Sequence, residues 1–313
     1  MKSQIKSILI PTDFSKLSET ALKVGISIAK RQDAEITLIH VLDRFAYLPP
    51  TEVFLPDIRP TPDIILTMED KLREFSDQLM IDTGLKVSGK VFAGQPSERI
   101  CRFAYEEKNS MIVMGTHGIS GLREFFIGSE AYSVVKNAPC PVLTVPGNWD
   151  KTDFEKVLFP IRMIPNTIDK YFYARPIIEK NSSELFLLGL SEMKNHEDIK
   201  ELTLIMDRLK IQLSNDNVKF QTGYCPFKDF PDIVINTAKE AGIDLLVLTA
   251  NFEDDLKAFF IGPFVQQVIN RSQLPVLSIK PSYNQTEPIS SLSLAENWGK
   301  SLKFDKNGYQ SNK

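Results

Sequence analysis

The sequence predicts an α/β protein made of two consecutive parallel-sheet domains with five strands each. Three observations point there. The chain has 313 residues, a length that suits two domains of ordinary size. Its halves repeat each other: Glu124 to Leu143 (EFFIGSEAYSVVKNAPCPVL) lies over Ala258 to Leu277 (AFFIGPFVQQVINRSQLPVL) at a shift of 134 residues, with eight of 20 positions identical. Ser7 to Asp13 (SILIPTD) lies over Lys156 to Arg162 (KVLFPIR) at a shift of 149. The unequal shifts place a longer insertion in the first half, in the proline-rich stretch from Pro49 to Pro62. A period this long indicates a duplicated domain rather than a solenoid. Lastly, β-rich runs alternate with helical patterns, as in right-handed βαβ units whose parallel sheet is covered on both faces.

In chain order, the β-rich runs of the first half fall near 5–10, 35–42, 86–92, 110–115 and 141–145. Ser15 is a candidate N-cap for a helix carrying Leu17, Ala21, Val24 and Ile28 on one face. Thr61-Pro62 opens a second helix with Ile65, Met68, Leu72, Phe75 and Leu79 spaced by three and four. Gly94 and Pro96 introduce a third, and a fourth runs from about Gly128 to Asn137. The second half repeats this order, and its long helix places Ile199, Leu202, Met206, Leu209 and Leu213 on one stripe. The expected divisions are 1–147, 152–281 and a polar tail, 282–313, with isolated Leu292, Trp298 and Phe304. That tail is expected to be loosely packed, with a short docking helix as the alternative.

Composition excludes several classes. Hydrophobic residues make up 42% and charged residues 25%, so the chain is not disordered, collagen-like or a coiled-coil rod. A net charge of −3 and a pI near 5.8 leave no global basic field for a nucleic acid partner. Cys101, Cys140 and Cys225 are distant in sequence and odd in number, and read as reduced, packed thiols. The apolar run after the basic start lasts only from Ile8 to Ile10 before Pro11 ends it, which is short for a signal peptide or a membrane span. The expectation is a soluble, cytoplasmic protein with no membrane partner.

Chemistry concentrates after the fourth strand. Met111-Ile112-Val113-Met114 runs into Gly115-Thr116-His117-Gly118, and Gly128-Ser129 opens the next helix, giving the spacing G-x2-G-x9-G-S. Glycines admit positive φ and let the backbone approach a bulky anion. A helix starting at Gly128-Ser129 adds free N–H groups, a hydroxyl and the positive end of its dipole. These are the requirements of a phosphate site, met without a lysine; a plain strand-to-helix turn is the alternative. Asp13 ends the first strand on the same rim, unless it serves only as a cap or solvated carboxylate. His117 reads as a loop residue rather than a catalytic base, and His40 as packed or hydrogen-bonded. A metal-binding cluster and a Walker-type G-x-x-x-x-G-K-[ST] are both absent from the sequence.

At these residues the chain resembles the universal stress protein family, in its tandem two-domain form. The resemblance is carried by Ile8-Leu9-Ile10-Pro11-Thr12-Asp13-Phe14-Ser15, His40-Val41, Gly115-Thr116-His117-Gly118, Gly128-Ser129 and Pro139-Cys140-Pro141-Val142-Leu143. The full set covers residues 1–146, whereas 156–281 resemble the family only in outline. The resemblance implies Rossmann-like, adenine-nucleotide-binding-like domains that pair through their last strands, here as an internal pseudo-dimer, with homodimerisation left open. It implies ATP or a related adenine nucleotide as ligand, with magnesium as a candidate companion ion. Gly115, Gly118, Gly128 and Ser129 would contact phosphate, Asp13 the ribose and α-phosphate, and the backbone of Val41 the adenine edge, with Thr12 and Met114 lining the cleft. The chain departs from the family at Ile119, where arginine is frequent, and at Glu130, where an apolar residue is usual. Pointing into the cleft, Glu130 would repel a triphosphate; pointing to solvent at the first turn of its helix it is favourable, and the outward orientation is the one expected.

In the second half, Arg162 stands in place of Asp13, Thr249 of Gly115, Phe252 of Gly118 and Pro263 of Ser129, while Asn251 to Asp255 add bulk and negative charge. A proline there removes an N–H and a hydroxyl together, so the second half is expected to be a pseudo-partner without a phosphate site. The leading functional expectation is a nucleotide-binding stress or signalling protein with slow hydrolysis at most, acting on a protein partner that the residues do not identify. A nucleotide-independent interaction scaffold and an adenine-nucleotide-dependent enzyme are the alternatives.

Overall fold

The computed structural model describes residues 4–43, 60–116, 128–164, 167–191, 196–225, 229–250 and 263–280. The first half runs β1 (Ser7–Pro11), α1 (Lys16–Gln32), β2 (Glu35–Leu42), α2 (Pro62–Thr83), β3 (Val87–Ala93), α3 (Pro96–Glu106), β4 (Met111–Gly115), α4 (Ser129–Asn137) and β5 (Val142–Val145). The second repeats the order as β6 (Lys156–Arg162), α5 (Lys170–Asn181), β7 (Glu184–Leu190), α6 (His196–Asn215), β8 (Phe220–Cys225), α7 (Phe230–Glu240), β9 (Leu245–Thr249), α8 (Pro263–Arg271) and β10 (Val276–Ile279). All of 44–59 and all of the tail 282–313 lie outside the described residues.

The strands form one ten-stranded sheet in the order β3-β2-β1-β4-β5-β10-β9-β6-β7-β8. Neighbours within each half are parallel. Interior strands covered on both faces need apolar side chains in both directions, and Ile8, Leu9, Ile10, Met111, Ile112 and Val113 are all buried. The seam between the halves is the antiparallel pair β5–β10, in the register Thr144 to Val276, Leu143 to Leu277 and Val142 to Ser278. Leu143 and Leu277 are equivalent positions of the repeat and face each other, so a pseudo-twofold axis passes through that pair.

Helices begin and end for local reasons. The Ser15 hydroxyl caps α1 by accepting the Ser18 N–H at 3.3 Å, and the helix buries Ala21, Val24 and Ile28. Pro62 stands in the first turn of α2, and Gly84 ends it at φ 71° with its N–H on the Met80 carbonyl. Leu72, on the expected stripe of α2, is buried. On α6, Leu202, Met206, Leu209 and Leu213 are buried, but Ile199 is 40% exposed. It lies in the first turn, before the helix settles onto β7.

The connection between halves is pinned to both. Thr20 Oγ1 donates to the Gly147 carbonyl at 3.3 Å, and Ser27 Oγ to that of Thr152 at 3.2 Å. Arg31 pairs with Asp153, Lys151 Nζ meets Asp244 Oδ1 at 2.6 Å, and Gln32 Nε2 reaches the Pro176 carbonyl at 2.7 Å. These contacts tie the connection and both halves together. No described helix is long and apolar enough to cross a membrane.

Candidate functional site

The strand order reverses direction between β1 and β4, and in an open α/β sheet such a switch point leaves a crevice beyond the strands' carboxyl ends. A cavity of about 270 Å³ opens there, close to the lower end of the roughly 300–1,000 Å³ of small-molecule sites. Its wall is drawn from Pro11, Thr12 and Asp13 at the end of β1, Ile39 and Val41 of β2, and Met114, Gly115 and Thr116 at the end of β4. Gly128, Ser129 and Glu130 open α4 on one side, and Pro96 and Ile100 of α3 close the other. Seven of the eight residues singled out from the sequence therefore line one cavity. The eighth, Gly118, lies outside the described residues, with His117 and Ile119.

The β1–α1 turn holds Asp13 on the rim. Thr12 Oγ1 lies 3.3 Å from Ser18 Oγ and accepts the Phe14 N–H at 3.1 Å. Asp13 Oδ1 accepts the Ser15 N–H at 3.0 Å. His40 Nδ1 meets the Thr12 carbonyl at 2.7 Å, so its ring donates to the turn. Phe14 takes a left-handed backbone, φ 60°, which is uncommon for a large side chain. Its ring packs 5.1 Å from His40 and edge-on to Phe75 at 6.0 Å, with Lys71 Nζ 4.0 Å above it. These contacts offset the backbone cost and fix the turn.

The glycines act differently from expectation. Neither Gly115 nor Gly128 has positive φ: Gly128 sits at φ −60°, ψ 152°. Gly115 is favoured by close approach, because a Cβ there would stand a tight 3.2 Å from the Leu17 carbonyl oxygen of α1. The Gly128 N–H is spent on the Thr116 carbonyl at 2.6 Å, joining the two ends of the intervening segment. What α4 offers an anion is its first turn from Ser129 onward, whose N-cap makes no side-chain hydrogen bond. Its N-cap, Gly128, has no side chain to close that turn, and about half a unit of positive charge stands behind its N–H groups.

Glu130 overturns the outward orientation expected of it. Its side chain lines the cavity, and Oε2 accepts the Ser97 N–H at 2.7 Å. Ser97 stands in the first turn of α3, whose own N-cap, Gln95, makes no side-chain bond. The dipole and free N–H groups of α3 attract the carboxylate inward. Nothing near Glu130 in sequence signals this, since its partner is 33 residues upstream. Pro96 and Ile100 line the cavity as well, and their place there was not legible for the same reason, since Pro96 reads in the sequence only as the entry to a helix. Asp13 and Glu130 are the ionisable side chains of the described lining, which includes no lysine or arginine.

The three cysteines are buried free thiols. Burial pushes the Cys101 thiol up to about 12 and that of Cys140 higher still, which makes both poor nucleophiles. Among the described residues there is no group of three or more His, Cys, Asp or Glu that could hold a metal ion.

Comparison with known proteins assigns this architecture. A sequence model of the universal stress protein family matches residues 4–146. Universal stress protein MJ0531 of Methanocaldococcus jannaschii is 38% identical over 145 residues, which cover 45% of this chain and 81% of that protein. The chain belongs to the universal stress protein family. Universal stress protein MJ0577 of the same organism is 30% identical over 163 residues, covering 46% of this chain and 97% of the relative. Both relatives match about half of the present chain. The crystal structure of a universal stress protein from Archaeoglobus fulgidus superimposes with a TM-score of 0.68 at 20% identity, covering 89% of this chain and 100% of that one. That likeness speaks to the fold of both halves, a universal stress protein type α/β, Rossmann-like fold.

Proposed function

We propose that the protein is an adenine-nucleotide-binding stress-response or signalling protein with one working site, in residues 1–147. Residues 152–281 would be a degenerate pseudo-partner and 282–313 a polar tail. The observation that carries this reading is the convergence of Thr12, Asp13, Val41, Met114, Gly115, Gly128 and Ser129 on one cavity at the switch point, beside the uncapped first turn of α4. Ser129 and α4 would receive phosphate, Asp13 the ribose, and the end of β2 at Val41 the base. Gly118 would extend the phosphate cradle. ATP or a related adenine nucleotide is the ligand class, and a cytoplasmic location suits it. Magnesium would arrive with the phosphates, since such ions take one or two carboxylates plus phosphate oxygens, and Asp13 is the carboxylate on the rim. Family membership supports this reading, and any turnover would be slow hydrolysis at most.

Freshly purified protein, denatured and analysed by chromatography, is expected to release about one adenine nucleotide per chain. Added nucleotide is expected to raise the melting temperature through linkage to the folded state, and Gly118→Val and Asp13→Ala each to abolish the rise. No released nucleotide and no thermal shift would overturn the reading. An unchanged shift in both variants would place the site elsewhere. A second reading, an interaction scaffold that ignores nucleotide, is favoured by the Glu130 carboxylate inside the cavity.

A further inference from the structure

We infer that Glu130 makes this cavity charge-selective, so that it prefers an adenine ligand with few phosphates, a nucleoside monophosphate, over the triphosphate. The inference rests on the reading of the cavity as an adenine-nucleotide site and adds which member of the class it takes.

Three helix N-termini approach the cavity, and each is dealt with differently. That of α1 is closed by its own Ser15 hydroxyl on the Ser18 N–H. That of α3 is occupied by Glu130 Oε2 on the Ser97 N–H at 2.7 Å. That of α4 is uncapped. A carboxylate supplied by the chain thus takes one of the two positions where a ligand's anionic oxygens would find N–H groups and a helix dipole. Among the described helix starts, the α4 position is the one left for the ligand. Glu130 follows Ser129 directly, so a phosphate seated on α4 lies beside its charge.

The rest of the wall sharpens the effect. Asp13 adds a second carboxylate, and the remaining polar side chains of the described lining are the hydroxyls of Thr12, Ser18, Thr116 and Ser129. Hydroxyls solvate one phosphate well but do not neutralise a chain of them. Each further phosphate brings charge into a partly enclosed space that already holds two carboxylates, where charge repulsion is felt more strongly than in water. An uncharged nucleoside does not meet this penalty, and a monophosphate meets it least among the nucleotides.

The test is calorimetric titration of the full chain with adenosine, AMP, ADP and ATP in the presence of a chelator, for the wild type and Glu130→Gln. The glutamine keeps an oxygen for the Ser97 N–H and removes only the charge. The unliganded melting temperature shows that the fold is kept. In the wild type, affinity is expected to fall from AMP to ATP. In Glu130→Gln, ATP affinity is expected to rise about tenfold while adenosine affinity changes less than about twofold, as removal of one nearby charge requires. ATP binding by the variant alone would equally support the inference. The same AMP-to-ATP ratio in both proteins would overturn it while leaving the adenine-site reading intact. If neither protein binds any of the four compounds, the adenine-site reading fails and takes this inference with it.

Discussion

The two halves share a framework and differ in what fills the crevice at their switch point. In the first half, Asp13 and Glu130 both line an open cavity. At the equivalent positions of the second half, Arg162 and Phe264 meet, with the guanidinium 4.6 Å from the ring centroid, a favourable cation–π distance. Thr249 replaces Gly115 and donates its hydroxyl to the Thr167 carbonyl at 3.4 Å. The first helix is also shorter, 12 residues in α5 against 17 in α1. The strands around these changes stay buried: Leu158 and Leu246 are as enclosed as Leu9 and Ile112. Side chains at strand ends can thus change from polar and open to stacked and closed without cost to the sheet, because core packing and site chemistry use different residues.

If that separation holds, damage to the shared framework must outweigh any exchange at the crevices. Leu143 and Leu277 face each other at the seam with essentially no exposure. Leu143→Asp buries a charge in the only antiparallel step of the described sheet, next to Thr144 Oγ1, which donates to the Val276 carbonyl at 3.3 Å. The expected loss is on the order of 4 kcal/mol or more, read as a collapse of the urea midpoint or as insoluble protein. A loss below about 1 kcal/mol would mean the halves do not depend on this seam.

The next effect is at the crevice itself. The double variant Asp13→Arg with Glu130→Phe transplants the stacked pair of the second half into the first. It is expected to melt near the wild type without ligand and to lose all stabilisation by adenine nucleotide. At a ligand concentration a hundredfold above the dissociation constant, that is about 2.7 kcal/mol. Thermal melts with and without nucleotide measure it, and a retained ligand shift would break the equivalence between the two crevices.

Much of this was legible in the residues because it depends on local pattern. The alternation of β-rich runs and helical stripes placed the elements, since buried parallel strands must be apolar on both faces. The spacing from Gly115 to Ser129 drew attention to the cavity wall, since a strand end, a glycine and a helix start share one segment. Other features depend on residues far apart. Glu130 turns inward because α3 presents an uncapped N-terminus, and Arg162 is satisfied in part by Phe264, about a hundred positions away. Phe14 adopts a left-handed backbone because His40, Phe75 and Lys71 enclose its ring. Even the role of Gly115 was obscure, since its preference for a bare Cα comes from the Leu17 carbonyl on another element.

The smallest effect separates the halves by pH. Lys170 aligns with Ala21 at the 149-residue shift. Both are fully enclosed, yet one is a lysine. Its Nζ donates to the Pro160 carbonyl and lies 4.5 Å from the Phe159 ring centroid. Burial pulls its pKa from 10.5 down to about 7, with repulsion from Arg162 contributing. In the unfolded chain the lysine keeps its proton up to about 10.5, so between those values the unfolded state binds more protons than the folded one. Stability therefore rises with pH from about 7 towards 10.5, and the full penalty applies below about 7. Lys170→Met removes the group that titrates and keeps its volume. It is expected to stabilise the protein at neutral pH by on the order of 1–3 kcal/mol, as apolar replacement of a buried charge does. It should also flatten the dependence of the urea midpoint on pH across that window. Ala21→Met in the first half offers a contrast: overpacking there should destabilise by a similar amount and leave the slope with pH unchanged. A slope that persists in Lys170→Met would mean another buried group sets it, and the difference between the halves would then lie in their crevices and not in their buried charge.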